Sequence, residues 1–202
     1  MSLEKVRSRS QVIREVLHDG KHALSNPKRS GNKESRISKG NSSEFRKEIM
    51  SEMEGKSTAV GMHFAVVASR FNPEIVDRLM MGAKEGLKEA GCDDRNITVI
   101  RVPGAFEIPL AVLRAAKSRR YDAIVAIGCV IRGETPHFEY ISQEACHGIT
   151  LASMETGTPV GFGVLTVNTD EQAMARSEPG KTNKGFEAAM AAVEMANLLK
   201  QF

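Results

Sequence analysis

From residue 62 onward the chain alternates between two textures. Short apolar runs, several of them β-branched, occupy residues 63–68, 97–102, 123–127 and 159–167. Each has the length and composition of a strand covered on both faces of a sheet. Between and after them, apolar residues return every three or four positions, which lines them along one face of a helix. Ile75, Leu79, Ala83 and Leu87 make the first such stripe. Asn72 is placed as its N-cap, Pro73 as its first residue, and Gly91 as its stop. Ile108, Val112 and Ala115 make the second. The third runs from near Pro136 to about Glu155 through Phe138, Ile141, Ala145, Ile149 and Ala152. After the fourth strand, Asn168-Thr169-Asp170 reads as a helix cap, a short helix holds Arg176, and Glu178-Pro179-Gly180 breaks it. A last helix from about Asn183 carries Phe186, Ala189, Met190, Val193 and Ala196.

Four strand–helix repeats joined by short turns predict an α/β protein. The expected architecture is a three-layer αβα sandwich around a four-stranded parallel sheet, flavodoxin-like in layout. In such sheets ligands sit outside the carboxyl ends of the strands, and this chain concentrates its polar and aromatic turn residues there. Phe71 follows the first strand, where it can stack on a planar ligand or lid the core. Pro103-Gly104-Ala105-Phe106-Glu107 follows the second; Glu107 can accept from hydroxyls or amines, or simply favour the positive end of the helix. The turn after the third strand is the richest. Gly133 permits close backbone approach, Thr135 offers a hydroxyl, and free N–H groups at the helix entrance attract phosphate or carboxylate. His137, in the first helical turn, suits proton transfer near neutrality or stands as an exposed helix-start residue. Glu134 would repel a bound phosphate, so its backbone N–H is the group expected to serve.

Residues 1–60 differ in kind. They hold 13 Lys and Arg against 8 Asp and Glu, net +5, which leaves 15 against 17, net −2, for the remainder of the 202 residues. Apart from a possible helical turn over 12–17, broken at Asn26-Pro27, this stretch has no period. It is expected to be a disordered basic extension in front of a domain spanning 61–202. Its eight acidic residues weaken an organelle leader, and its lack of aromatic interleaving weakens specific RNA binding, leaving a solvated tail as the simplest reading. Cys92, Cys129 and Cys146 form no Cys-x-x-Cys pair and are read as reduced thiols of an intracellular protein. No membrane span is expected, and His137 and His147, ten apart, do not share a helix face as a metal-chelating pair would.

Taken together, Ser69-Arg70-Phe71-Asn72, Val102-Pro103-Gly104-Ala105-Phe106-Glu107-Ile108-Pro109, the run from Gly128 to Phe138, Phe162-Gly163-Val164-Leu165-Thr166, Glu171-Gln172-Ala173 to Arg176, and Asn183-Lys184-Gly185 resemble the successive motifs of the 6,7-dimethyl-8-ribityllumazine synthases. The resemblance implies the penultimate step of riboflavin biosynthesis, with no metal or cofactor. It implies that Phe71, with Asn72 beside it, binds the pyrimidine ring. Ala105, Phe106, Glu107, Cys129, Val130 and Ile131 would line the ribityl and ring pocket, and Glu134 and Thr135 would bind phosphate with help from Arg176. It makes His137 the acid/base, has Phe162 supplied by a neighbouring subunit, and puts Lys184 near substrate. It further implies a homopentamer, with decamers or 60-subunit shells as larger forms, and a cytoplasmic protein unless the extension is an organelle leader. A non-catalytic lumazine- or flavin-binding or shell-forming protein of the same fold is the alternative. Pro136 and Asn168 depart from the family pattern, where a hydroxyl residue and an aspartate are common, and residues 177–181 form a turn about one residue longer.

Overall fold

The structure, a computed structural model, describes residues 51–202. The helical turn expected over 12–17 and the rest of the extension up to residue 50 lie outside the described residues. Four strands, β1 (Phe64–Ser69), β2 (Ile97–Val102), β3 (Ala123–Ile131) and β4 (Val160–Val167), form one sheet in the order β2-β1-β3-β4 with every pair parallel. The helices are α1 (Pro73–Glu89), α2 (Ile108–Lys117), α3 (His137–Thr156), α4 (Asp170–Ser177) and α5 (Lys184–Leu199). The expected α/β sheet and its four strand–helix repeats are therefore present.

The two-residue period of β1 divides the core. Phe64, Val66 and Ala68 face α1 and α5, packing with Leu79, Leu87, Ala189 and Val193. Ala65 and Val67 face α2 and α3, packing with Ile108, Val112 and Ile149. A strand buried on both sides has no room for polar residues, which is why β1 and β3 read as continuous apolar runs. The helices of one face approach closely: a Cβ on Gly185 would stand 1.9 Å from the carbonyl oxygen of Leu79, so α5 can lie against α1 only with glycine there. Asn183 caps α5, its side-chain oxygen accepting from the N–H of Gly185 at 2.8 Å and of Phe186 at 3.3 Å. Thr169 caps α4 by accepting from Gln172 N at 3.3 Å.

Residues 51–60, placed by composition with the extension, lie along α5. Ala59 is fully buried, Asn197 donates to Thr58 O at 2.8 Å, and Gln201 donates to Glu54 O at 2.7 Å. These bonds use backbone carbonyls, which leave no trace in a hydropathy pattern. Among the described residues no helix is long and apolar enough to cross a membrane. The three cysteines are free, Cys92 and Cys129 buried and Cys146 exposed.

Candidate active site

In the order β2-β1-β3-β4, the chain leaves β1 to one side for β2 and returns past it to β3. The carboxyl ends of β1 and β3 thus form the crevice where an open α/β sheet binds ligands. Three turns build its walls. After β1, the N–H of Arg70 donates to Val102 O at 2.8 Å and that of Phe71 to Pro103 O at 3.2 Å, sewing the first turn to the second. Phe71 is left 69 % exposed, its ring free to meet a ligand. Asn72 departs from its expected role. It occupies the N-cap position, but its backbone is left-handed (φ 54°, ψ 57°) and its side chain caps nothing. Its amide instead donates to Cys129 O at 3.0 Å, tying the Phe71 turn to the end of β3.

After β2, the carboxylate of Glu107 accepts from the N–H of Gly104 at 2.8 Å and closes a single 3-10 turn over Ala105–Glu107. That turn sets Phe106 outward and α2 behind it. After β3, Cys129 has its thiol pushed up to about 11, by burial first and by the nearby carboxylate of Asp170 second. It is a neutral wall group at physiological pH. Among the described residues the N–H groups of Gly133, Glu134 and Thr135 have no hydrogen-bond partner, and α3 begins two residues later at His137. Free N–H groups thus precede the helix, and these are the groups on which the expectation of an anion at this turn rests.

Together these turns enclose a cavity of about 450 Å³. Phe71, Ala105, Phe106, Glu107, Cys129, Val130, Ile131, Thr135 and His137, all singled out from sequence, line it. Glu134 lies on the turn, exposed, without lining the cavity, and Asn72 lies behind the wall. Phe138 and Ile141 also line it, although their helical spacing reads as core; they sit on the edge of that stripe, half-buried, where α3 passes from the sheet to the opening.

Phe162, Arg176 and Lys184 are elsewhere. They line a second cavity, of about 510 Å³, along the edge strand β4 between α4 and α5. Phe162 is exposed there. The Arg176 guanidinium donates to Gln172 O at 3.0 Å, and Lys184 pairs with Glu187 at 2.6 Å. Glu187 was not singled out from sequence, and its spacing of three from Lys184 is the signal that could have found it. Within one chain, the residues implied to share a site fall into two groups.

The comparisons with known proteins bear on which chemistry this is. The family model of 6,7-dimethyl-8-ribityllumazine synthase matches residues 61–200. The 6,7-dimethyl-8-ribityllumazine synthases of Nitratidesulfovibrio vulgaris strain DP4 and of its strain ATCC 29579 (Hildenborough) are each 49% identical over 149 residues, covering 74% of this chain and 96% of theirs. The chain belongs to this family. The match starts where the strand–helix repeats start and covers all of them. The lumazine synthases are transferases of riboflavin biosynthesis, and this chain is one of them.

The turn of the family domain between β3 and α3 carries one further ionic contact. The guanidinium of Arg132 pairs with the carboxylate of Glu139, and that hydrogen bond, more than any other influence, holds the carboxyl below its usual range. A carboxyl with a depressed folded-state value contributes stability above its unfolded value and loses it as pH falls through the depressed one. The contact is therefore complete throughout the neutral range.

Proposed function

We propose that this chain condenses 5-amino-6-(D-ribitylamino)uracil with 3,4-dihydroxy-2-butanone 4-phosphate to 6,7-dimethyl-8-ribityllumazine, releasing phosphate and water. The observation that carries this reading is the 450 Å³ cavity, lined together by exposed Phe71, by Glu107, by His137 and by Gly133 and Thr135, whose N–H groups are unpartnered among the described residues. Phe71 stacks on the pyrimidine, and Glu107 accepts from the ribityl hydroxyls. The N–H groups of the 133–135 turn, with the Thr135 hydroxyl, take the phosphate. Amine addition to the ketone, dehydration to the imine, phosphate loss and ring closure each move a proton, and His137 is the group at hand to move it. Holding two small reactants side by side supplies much of the remaining acceleration.

Arg176 and Phe162 complete the site from a neighbouring subunit. In this reading copies of the chain assemble head to tail into a closed ring, a homopentamer, so that the β4 cavity of one subunit abuts the β1–β3 cavity of the next. Two facts support it. The β4 cavity carries the cations that a phosphate ester needs, and it lies on an edge strand with an exposed phenylalanine. The test is to mix the purified protein with both substrates and follow lumazine absorbance and fluorescence, alongside the native mass of the assembly. Tight binding of the pyrimidine without lumazine formation would instead make the chain a lumazine- or flavin-binding protein of the same fold.

A further inference from the structure

The turn that carries the unpartnered N–H groups is held by a side chain that does not line the cavity. Arg132 leaves β3 with its N–H donated to Val167 O at 2.9 Å, and its side chain then folds back over the residues that follow. The guanidinium carbon stands 4.4 Å from the centroid of the Phe138 ring. One terminal nitrogen pairs with the Glu139 carboxylate, and Nε donates to Asn168 Oδ1 at 3.0 Å. Phe138 and Glu139 belong to the first turn of α3, whereas Asn168 follows β4. A single planar fork therefore joins the start of the turn, its end and the neighbouring strand, a geometry that the point charge of a lysine does not reproduce.

We propose that Arg132 is a positioning residue, a latch that closes the five-residue turn Gly133–His137 from outside and fixes its N–H groups and the His137 imidazole at the spacing a phosphate ester requires. The proposal rests on the reaction proposed above for its choice of ligand. A turn of this length containing glycine samples many shapes when untethered, and ordering it on binding would weaken the ligand. The latch supplies that order beforehand. Arg132 is not itself a phosphate ligand in this account, because its charge is met by Glu139, one face is covered by Phe138 and its Nε–H is used on Asn168. Asn168 bears on this point. With a neutral amide there, Glu139 is the carboxylate that pairs with the guanidinium.

The decisive measurements are steady-state kinetics with each substrate varied in turn, and binding of inorganic phosphate by calorimetry, on the full chain and on Arg132→Met, Arg132→Lys and Glu139→Gln. Misplacement by about an ångström costs up to roughly a hundredfold in rate. Arg132→Met is expected to weaken inorganic phosphate and to raise KM for the phosphorylated substrate by about tenfold, while KM for the pyrimidine amine stays within about twofold. Arg132→Lys recovers little of the loss. Glu139→Gln shifts phosphate affinity in the same direction, and the double variant Arg132→Met/Glu139→Gln is no worse than Arg132→Met alone, since both break one unit. If Arg132 bound phosphate directly, Glu139→Gln would free the guanidinium and tighten phosphate, which overturns the latch. Unchanged phosphate affinity in Arg132→Met overturns it as well, as does a general loss that raises both KM values equally. Should Arg132→Met not fold, Glu139→Gln alone decides by the sign of its effect. A wild-type protein that binds phosphate but forms no lumazine would refute the proposed reaction, and the latch would still be read through phosphate.

Discussion

The cavity at the ends of β1, β2 and β3 and the cavity along β4 are of similar size, about 450 and 510 Å³, but are held in different ways. The first is sewn together from three consecutive turns. Backbone bonds join the β1 and β2 turns, the Asn72 amide reaches the end of β3, and Glu107 closes its own 3-10 turn. Its aromatic and its imidazole therefore stand on a frame that does not depend on a ligand. The second is one strand edge and two helices, and its cations are leashed to their own helices. The first cavity has shape and an imidazole with little positive charge, and the second has charge with less enclosure. A substrate pair that is planar at one end and phosphorylated at the other needs both.

The sharpest way to break this contrast is to remove the imidazole, the proposed proton carrier. His137→Ala should lower kcat by roughly 10²- to 10⁴-fold, the usual worth of a general acid/base, with pyrimidine binding measured by fluorescence nearly unchanged. Retained turnover would move the proton chemistry elsewhere. Arg176→Ala tests the other cavity. The loss of a charge-assisted hydrogen bond, about 1.5–3 kcal/mol, should raise KM for the butanone phosphate by roughly ten- to a hundredfold. The two variants also test whether the cavities meet across subunits. In mixed assemblies of His137→Ala with Arg176→Ala, up to roughly a quarter of the sites regain both residues if neighbours share them, because a head-to-tail ring pairs each cavity with the next subunit's. An absence of recovery in assemblies proven to be mixed would contradict shared sites.

A smaller effect separates the two exposed phenylalanines. Phe71→Ala should weaken the pyrimidine by roughly three- to tenfold, the stacking share of an aromatic contact being about 0.5–1.5 kcal/mol. Phe162→Ala should weaken it less, since in the proposed assembly that ring only closes the site from a neighbouring subunit. Equal losses in the two variants would erase the distinction between receptor and lid.

The same contrast explains what could be read from the sequence. The first cavity was legible because each of its walls follows a recognisable strand, and because proline and an aromatic or acid mark every turn, with glycine in two of the three. The helices were legible from their stripes, with Asn183 and Thr169 capping as their side chains suggest. Bonds between distant residues were not. Nothing local in Ser69-Arg70-Phe71-Asn72 indicates that the amide would serve β3 in place of α1, nor does Arg132 announce three partners spread from Phe138 to Asn168. Residues 51–60 were obscured for a related reason, their contacts with α5 running through backbone carbonyls and one small side chain. The separation of Phe162, Arg176 and Lys184 from His137 follows from the place of β4 at the sheet edge, which a linear order of motifs does not express.

Asn72 offers the finest test, because both of the terms it brings to stability are small and opposed, which leaves function as the readout. Its left-handed backbone costs little for asparagine and nothing for glycine, while its hydrogen bond to Cys129 O contributes about 0.5–1.5 kcal/mol. Asn72→Gly therefore relieves the backbone and loses the bond, so the thermal midpoint should move by no more than a few degrees. Asn72→Ala loses the bond and places a Cβ without a compensating amide in the left-handed region, so it should be the less stable of the two. Both release the Phe71 turn from β3, and both should raise KM for the pyrimidine amine a few-fold while leaving KM for the butanone phosphate alone. If Asn72 instead donates directly to substrate, the losses in amine affinity should exceed those of Phe71→Ala, and the Cys129 carbonyl would then be only a resting partner for its amide.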